Sequence, residues 1–80
     1  MNLQDQVVLV TGSSRGLGAA IVNAFAREGA RVVINYFSSK EKAEALAQNI
    51  GERAIAIRAD VRSRDEVNDL FQTAHDYFKA

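Results

Sequence analysis

The residues best placed to do chemistry are Thr11-Gly12-Ser13-Ser14-Arg15-Gly16-Leu17-Gly18, between the apolar run Val7–Val10 and a helical pattern opening at Leu17. A strand-to-helix turn of this kind aims unpaired backbone N–H groups and the positive end of a helix dipole, about half an elementary charge, into one crevice. Glycine lets the backbone come close to whatever anion sits there. The chemistry is therefore the holding of a phosphate or pyrophosphate. Other reactive side chains are sparse. With no cysteine, disulfides and thiolate metal sites are excluded, and one histidine, His75, cannot assemble a zinc site alone. His75 falls in the last helical pattern without a neighbouring nucleophile and reads as a surface residue.

Ten basic and ten acidic residues cancel, so no long-range field recruits nucleic acid or an anionic membrane, and anion binding must be local. The first six residues contain neither a positive segment nor an apolar stretch of signal-peptide length. No apolar run approaches a membrane span, and a cytoplasmic location is expected. At 80 residues, 48% hydrophobic and 25% charged, the chain is one globular unit at most.

The elements that must position the turn follow from periodicity. Val7-Val8-Leu9-Val10 is an unbroken apolar run, the pattern of a parallel strand covered on both faces. Leu17, Ala20, Ile21, Ala24 and Phe25 recur at helical spacing, with Gly29 as the stop. Val32-Val33-Ile34 predicts a second strand. Ser38 with Glu41 forms a capping-box signal opening a helix through Ala43, Leu46, Ala47 and Ile50, ended by Gly51. Ala54 to Ala59 predicts a third strand, and Ser63 with Glu66 a second capping box before Val67, Leu70, Phe71, Ala74 and Phe78. Such alternation means right-handed βαβ crossovers and a parallel sheet, an α/β fold.

The glycine spacing discriminates among phosphate turns. A P-loop would end in Gly-Lys-Ser/Thr, which is missing, and the common dinucleotide fingerprint G-x-G-x-x-G does not match. The chain has Thr-Gly-x-x-x-Gly-x-Gly directly after a strand, and in this it resembles the short-chain dehydrogenase/reductase family. The resemblance extends to Asp60-Val61 after the third strand and so covers nearly the whole chain. It implies a three-layer Rossmann-like (βα)3 half with strand order 3-2-1, one partial dinucleotide-binding domain over residues 1–80. It also implies a turn of Gly12, Ser13, Ser14, Arg15, Gly16, Leu17 and Gly18 around a pyrophosphate. Asp60 would accept from the adenine exocyclic amine and Val61 would border the ring. The alternative from the residues alone is that Asp60 merely begins the turn into the last helix.

Selection of NAD usually requires Asp or Glu at the end of the second strand, to bond the ribose hydroxyls. That place holds Asn35 and Tyr36, neither of which repels a phosphate, and Arg15 could pair with one through its planar fork. NADP is therefore expected over NAD. Ser38, Ser39 and Lys40 add donors nearby, although Ser38 is also explained as a helix cap.

Tyr36-Phe37-Ser38-Ser39-Lys40 fits Tyr-x-x-x-Lys, which in the family names the catalytic acid/base and its partner. Its position at the adenosine end argues for coincidence. The family's Asn-Ala-Gly segment, catalytic serine, tyrosine and lysine are not in this chain, so no catalytic residue is assigned. The reading is the NADP-binding portion of an oxidoreductase, truncated before a fourth strand. The Ser-Ser-Arg-Gly-Leu-Gly turn and the Val-Ile-Asn-Tyr strand end look most like 3-oxoacyl-acyl-carrier-protein reductases. An open first-strand edge would then favour self-association into a homo-oligomer. The alternatives are a non-catalytic nucleotide-binding module and a self-assembling βαβ protein.

Overall fold

The computed structural model describes residues 4, 6–11 and 16–79. Its elements alternate as β1 (Val7–Val10), α1 (Gly16–Arg27), β2 (Arg31–Tyr36), α2 (Lys40–Ile50), β3 (Ala54–Arg58) and α3 (Arg64–Phe78). The three strands form one parallel sheet in the spatial order β1-β2-β3, the 3-2-1 arrangement of a Rossmann-like half. Val8 lies opposite Val32, and Val32 opposite Ala54, so β2 is hydrogen-bonded along both edges.

The alternation of side chains along a strand sends successive residues to opposite faces. Val32, Ile34 and Tyr36 join Val22 of α1 and Ala43 of α2 in one core layer. Val33 joins Ala59 and the α3 residues Leu70 and Ala74 in the other, with Leu9, Ile55 and Ile57 packed against it. Helices on both faces of the sheet make three layers. Position in the sheet decides burial. β2 is buried along nearly its whole length, whereas β1, the more uniformly apolar strand and expected to be covered on both faces, is only half-buried and leaves Val7 37% exposed. The cause is that, among the described residues, β1 is an edge strand with a neighbour on one side only.

Local signals set the helix ends. Gly29 adopts φ +94°, and the N–H groups of Gly29 and Ala30 donate back to Ala26 and Phe25, a Schellman closure that a left-handed residue makes possible. Ser63 caps α3 as expected, its Oγ accepting from the Glu66 N–H at 3.3 Å. The box expected at Ser38 and Glu41 is corrected: α2 is capped one residue later, at Ser39, whose side chain makes no capping bond. There the Ala43 N–H donates to the Ser39 carbonyl, which begins the helical ladder at Lys40. β3 ends at Arg58, one residue before the expected Ala59.

Candidate functional site

In a parallel sheet every strand delivers its C-terminal end to the same edge, and ligands of open α/β sheets bind in the crevice outside it. Here that edge gathers Thr11 after β1, Tyr36 and Phe37 at the end of β2, and Asp60 and Val61 just after β3, with the N-terminus of α1 beside β1. Gly12, Ser13, Ser14 and Arg15 lie outside the described residues. Gly16, the first residue of α1, has φ +64°, a left-handed conformation natural to glycine, and among the described residues nothing lies within 4 Å of where a Cβ would stand. The first turn of α1 carries no acidic side chain, whereas α2 has Glu41 and α3 has Asp65 and Glu66 there. The α1 terminus thus keeps its partial positive charge unmatched by a carboxylate of its own turn. Leu17 is 78% exposed, and Gly18 follows in the same turn.

Across the edge, Asp60 is held from every side. Its N–H donates to Glu66 Oε1 at 3.0 Å, and its carbonyl accepts from the Ser63 N–H at 2.9 Å. Its carboxylate accepts from Arg62 three times. Oδ1 receives the Arg62 backbone N–H at 2.9 Å and Nε at 3.0 Å, and Oδ2 receives Nη2 at 3.0 Å. The first bond is an Asx turn and the other two are the bidentate fork natural to a guanidinium and a carboxylate. These hydrogen bonds, aided by the charges of Arg62 and Arg58, hold the Asp60 carboxyl below the usual carboxylate range. Asp60 is therefore an anion at neutral pH. Val61 beside it is half-exposed and presents apolar surface.

The second strand's end differs from its expected use. Asn35 is 3% exposed, and its Nδ2 donates to the carbonyls of Ile57 and Ala59, both at 3.3 Å, so this amide links β2 to β3. Tyr36 is buried with the α1 and α2 core, and its carbonyl accepts from the Ala59 N–H. Of the expected residues here, Ser38 and Lys40 are exposed and Ser39 is half-buried, in an open hollow at the start of α2 that Glu41 and Lys42 also line. Two groups missed in the sequence also stand at this edge. The Arg58 guanidinium lies 4.9 Å from the centre of the exposed Phe37 ring, a cation–π contact. Arg62 is the other, and Asp-x-Arg ahead of a capping serine was the available signal for it.

Chemically, this sheet edge offers a helix N-terminus without an acidic residue at one end and an anionic hydrogen-bond acceptor at the other. Among the described residues, no group of three or more His, Asp or Glu could hold a metal ion, and no helix is long and apolar enough to cross a membrane.

The sequence model for short chain dehydrogenase matches residues 6–80. This chain belongs to the short-chain dehydrogenase family. It is 46% identical over 79 residues to a versicolorin reductase of Emericella nidulans, covering 95% of this chain and 30% of that one. It is equally 46% identical over 79 residues to a 3-oxoacyl-[acyl-carrier-protein] reductase of Synechocystis sp., covering 95% and 32%. Among solved structures, a blue fluorescent protein from a metagenomic library, in complex with NADPH, superposes with a TM-score of 0.88 at 40% identity, over 98% of this chain and 34% of that one. The chain spans about a third of the length of these short-chain dehydrogenase relatives.

Proposed function

We propose that this chain is the NADP-binding portion of a cytoplasmic reductase, residues 1–80 forming one partial dinucleotide-binding domain. The observation that carries the reading is Gly16 in a left-handed conformation at the start of α1, with no described atom within 4 Å of where its Cβ would stand and the acceptor Asp60 across the same sheet edge. In this reading Gly12, Ser13, Ser14, Gly16, Leu17 and Gly18 hold the pyrophosphate, and Arg15 pairs with the 2′-phosphate. Asp60 accepts from the adenine amine and Val61 borders the ring. Ser38 adds a donor near the ribose. The NADPH in the similar metagenomic protein supports NADP over NAD.

When bound, the nicotinamide would supply hydride to a carbonyl or receive it from an alcohol. This chain's residues bind and orient the adenosine and phosphate end. The carbonyl acid/base has no counterpart here, so the 80-residue chain is proposed to bind without turnover. For the parent protein, 3-oxoacyl-acyl-carrier-protein is the proposed substrate, in line with the Synechocystis relative. The equal identity to a versicolorin reductase makes substrate choice a matter for residues beyond this portion.

Titration of the chain with NADPH and NADH, followed by nicotinamide fluorescence, tests the reading. Binding of NADPH is expected, and Arg15→Ala should weaken it by about tenfold while affecting NADH far less, since the variant loses bonds made only to the 2′-phosphate. Equal loss for both cofactors would remove Arg15 from the argument, and no binding of either would remove the cofactor reading.

A further inference from the structure

An ionised carboxylate offers about four acceptor positions, two on each oxygen. In Asp60 the Arg62 N–H and Nε take both positions on Oδ1, and Nη2 takes one on Oδ2. One position remains, on Oδ2. Glu66 and Ser63 fix its backbone through the N–H and carbonyl, and the three bonds from Arg62 set the orientation of its carboxylate. The Asp60 side chain is 22% exposed, while that of Arg62 is 82% exposed and lies on the solvent side of the pair.

We infer that Arg62 is a positioning residue for base recognition, its fork pinning Asp60 as a single-site acceptor that takes one N–H donor and not a pair of hydroxyls. The inference rests on the proposed cofactor reading and adds to it a reason for the base selected. A vicinal diol of ribose needs two acceptor positions, and Asp60 has one. An exocyclic amine needs one. A base with a carbonyl at that place, such as hypoxanthine, directs an oxygen at a carboxylate and is rejected. A bidentate fork holds the carboxylate plane as well as its charge, which a lysine ammonium cannot do.

The test uses the 80-residue chain with two probes, NADPH and its reduced analogue carrying hypoxanthine in place of adenine, in the wild type, Arg62→Ala and Arg62→Lys. The wild type should prefer NADPH by about tenfold, the size expected for one hydrogen bond to a charged acceptor. In Arg62→Ala the preference should fall to about threefold or less, chiefly through weaker NADPH binding, and Arg62→Lys should not restore it. A preference that survives Arg62→Ala, equal weakening of both probes, or full rescue by lysine would overturn the inference while leaving the cofactor reading intact. Failure of the wild type to bind either probe would overturn both. Carboxyl-carbon NMR on the ligand-free chains supplies a second readout. Asp60 should protonate at lower pH in the wild type than in Arg62→Ala, and identical titration would overturn the fork itself.

Discussion

Asn35 illustrates how a side chain's destination outweighs its type. At the end of β2 it has the chemistry to meet a ribose, yet its Nδ2 joins two carbonyls of the β3 segment in a nearly dry setting. Asn35→Ala should lower stability to urea by about 1–3 kcal/mol, because one buried and one part-buried acceptor lose their donor. Asn35→Asp should cost more, since an acceptor-only carboxylate would face those carbonyls, and it should gain no NADH affinity. A variant that folds normally and binds NADH better would refute this. Asp60 adds a pH dependence. Its folded pKa is depressed by the hydrogen bonds from Arg62, so its stabilising contribution is complete above the unfolded value near 4 and is lost as pH falls through the folded value. Arg62 and Arg58 favour the anion, and Glu66 is the acid packed closest. Urea midpoints of the wild type should fall on acidification below about pH 4, and Arg62→Ala should flatten that part of the profile. At this scale the place of Gly16 in a strand-to-helix turn was legible from the glycine spacing, and its left-handed φ is what the structure adds. The fate of Asn35 and the Arg62 fork were not legible, because one depends on which face of β2 a residue occupies and the other on the turn's geometry.

Elements were more legible than residues, because apolar periodicity reports burial directly and caps mark boundaries. Two capping boxes looked alike in sequence, and the structure separates them. Ser63→Ala should destabilise the chain by about 1 kcal/mol, since its Oγ satisfies the Glu66 N–H. Ser38→Ala and Ser39→Ala should each stay within about 0.5 kcal/mol, because α2 begins without a side-chain cap. Thermal melts of the three variants check the contrast, and a loss at Ser38 as large as at Ser63 would contradict it. What distinguishes them is the chain ahead of each cap. Asp60 folds back into a turn that presents Ser63, whereas β2 runs through Tyr36 and leaves only a short link before Lys40. Gly29 shows the same dependence on surroundings. Beyond its left-handed φ, an added Cβ would lie 3.1 Å from Gln4 Cγ and 3.4 Å from Arg53 Nη1. Gly29→Ala should therefore cost more than the roughly 1 kcal/mol that backbone strain alone imposes.

At the scale of the whole molecule, the sheet is asymmetric. The outer edge of β1 has no strand neighbour among the described residues, and beside it Val7, Leu9, Val33, Leu70, Phe71, Ala74 and His75 line an open groove of about 220 Å³. Phe71 is 55% exposed there. An apolar edge strand without a charge or proline to blunt it pairs readily with a second copy, and a two-fold axis would set the two β1 strands antiparallel. Four residues form a short edge, so the association should be weak and driven as much by the groove as by the ladder. Sedimentation equilibrium should show a mass that rises with concentration. Val7→Lys and Phe71→Lys should each shift the chain toward monomer, since either places a charge where the copies would meet. A cooperatively melting chain that stays monomeric at every concentration would overturn this, because a stable fold would then tolerate the bare edge without a second copy.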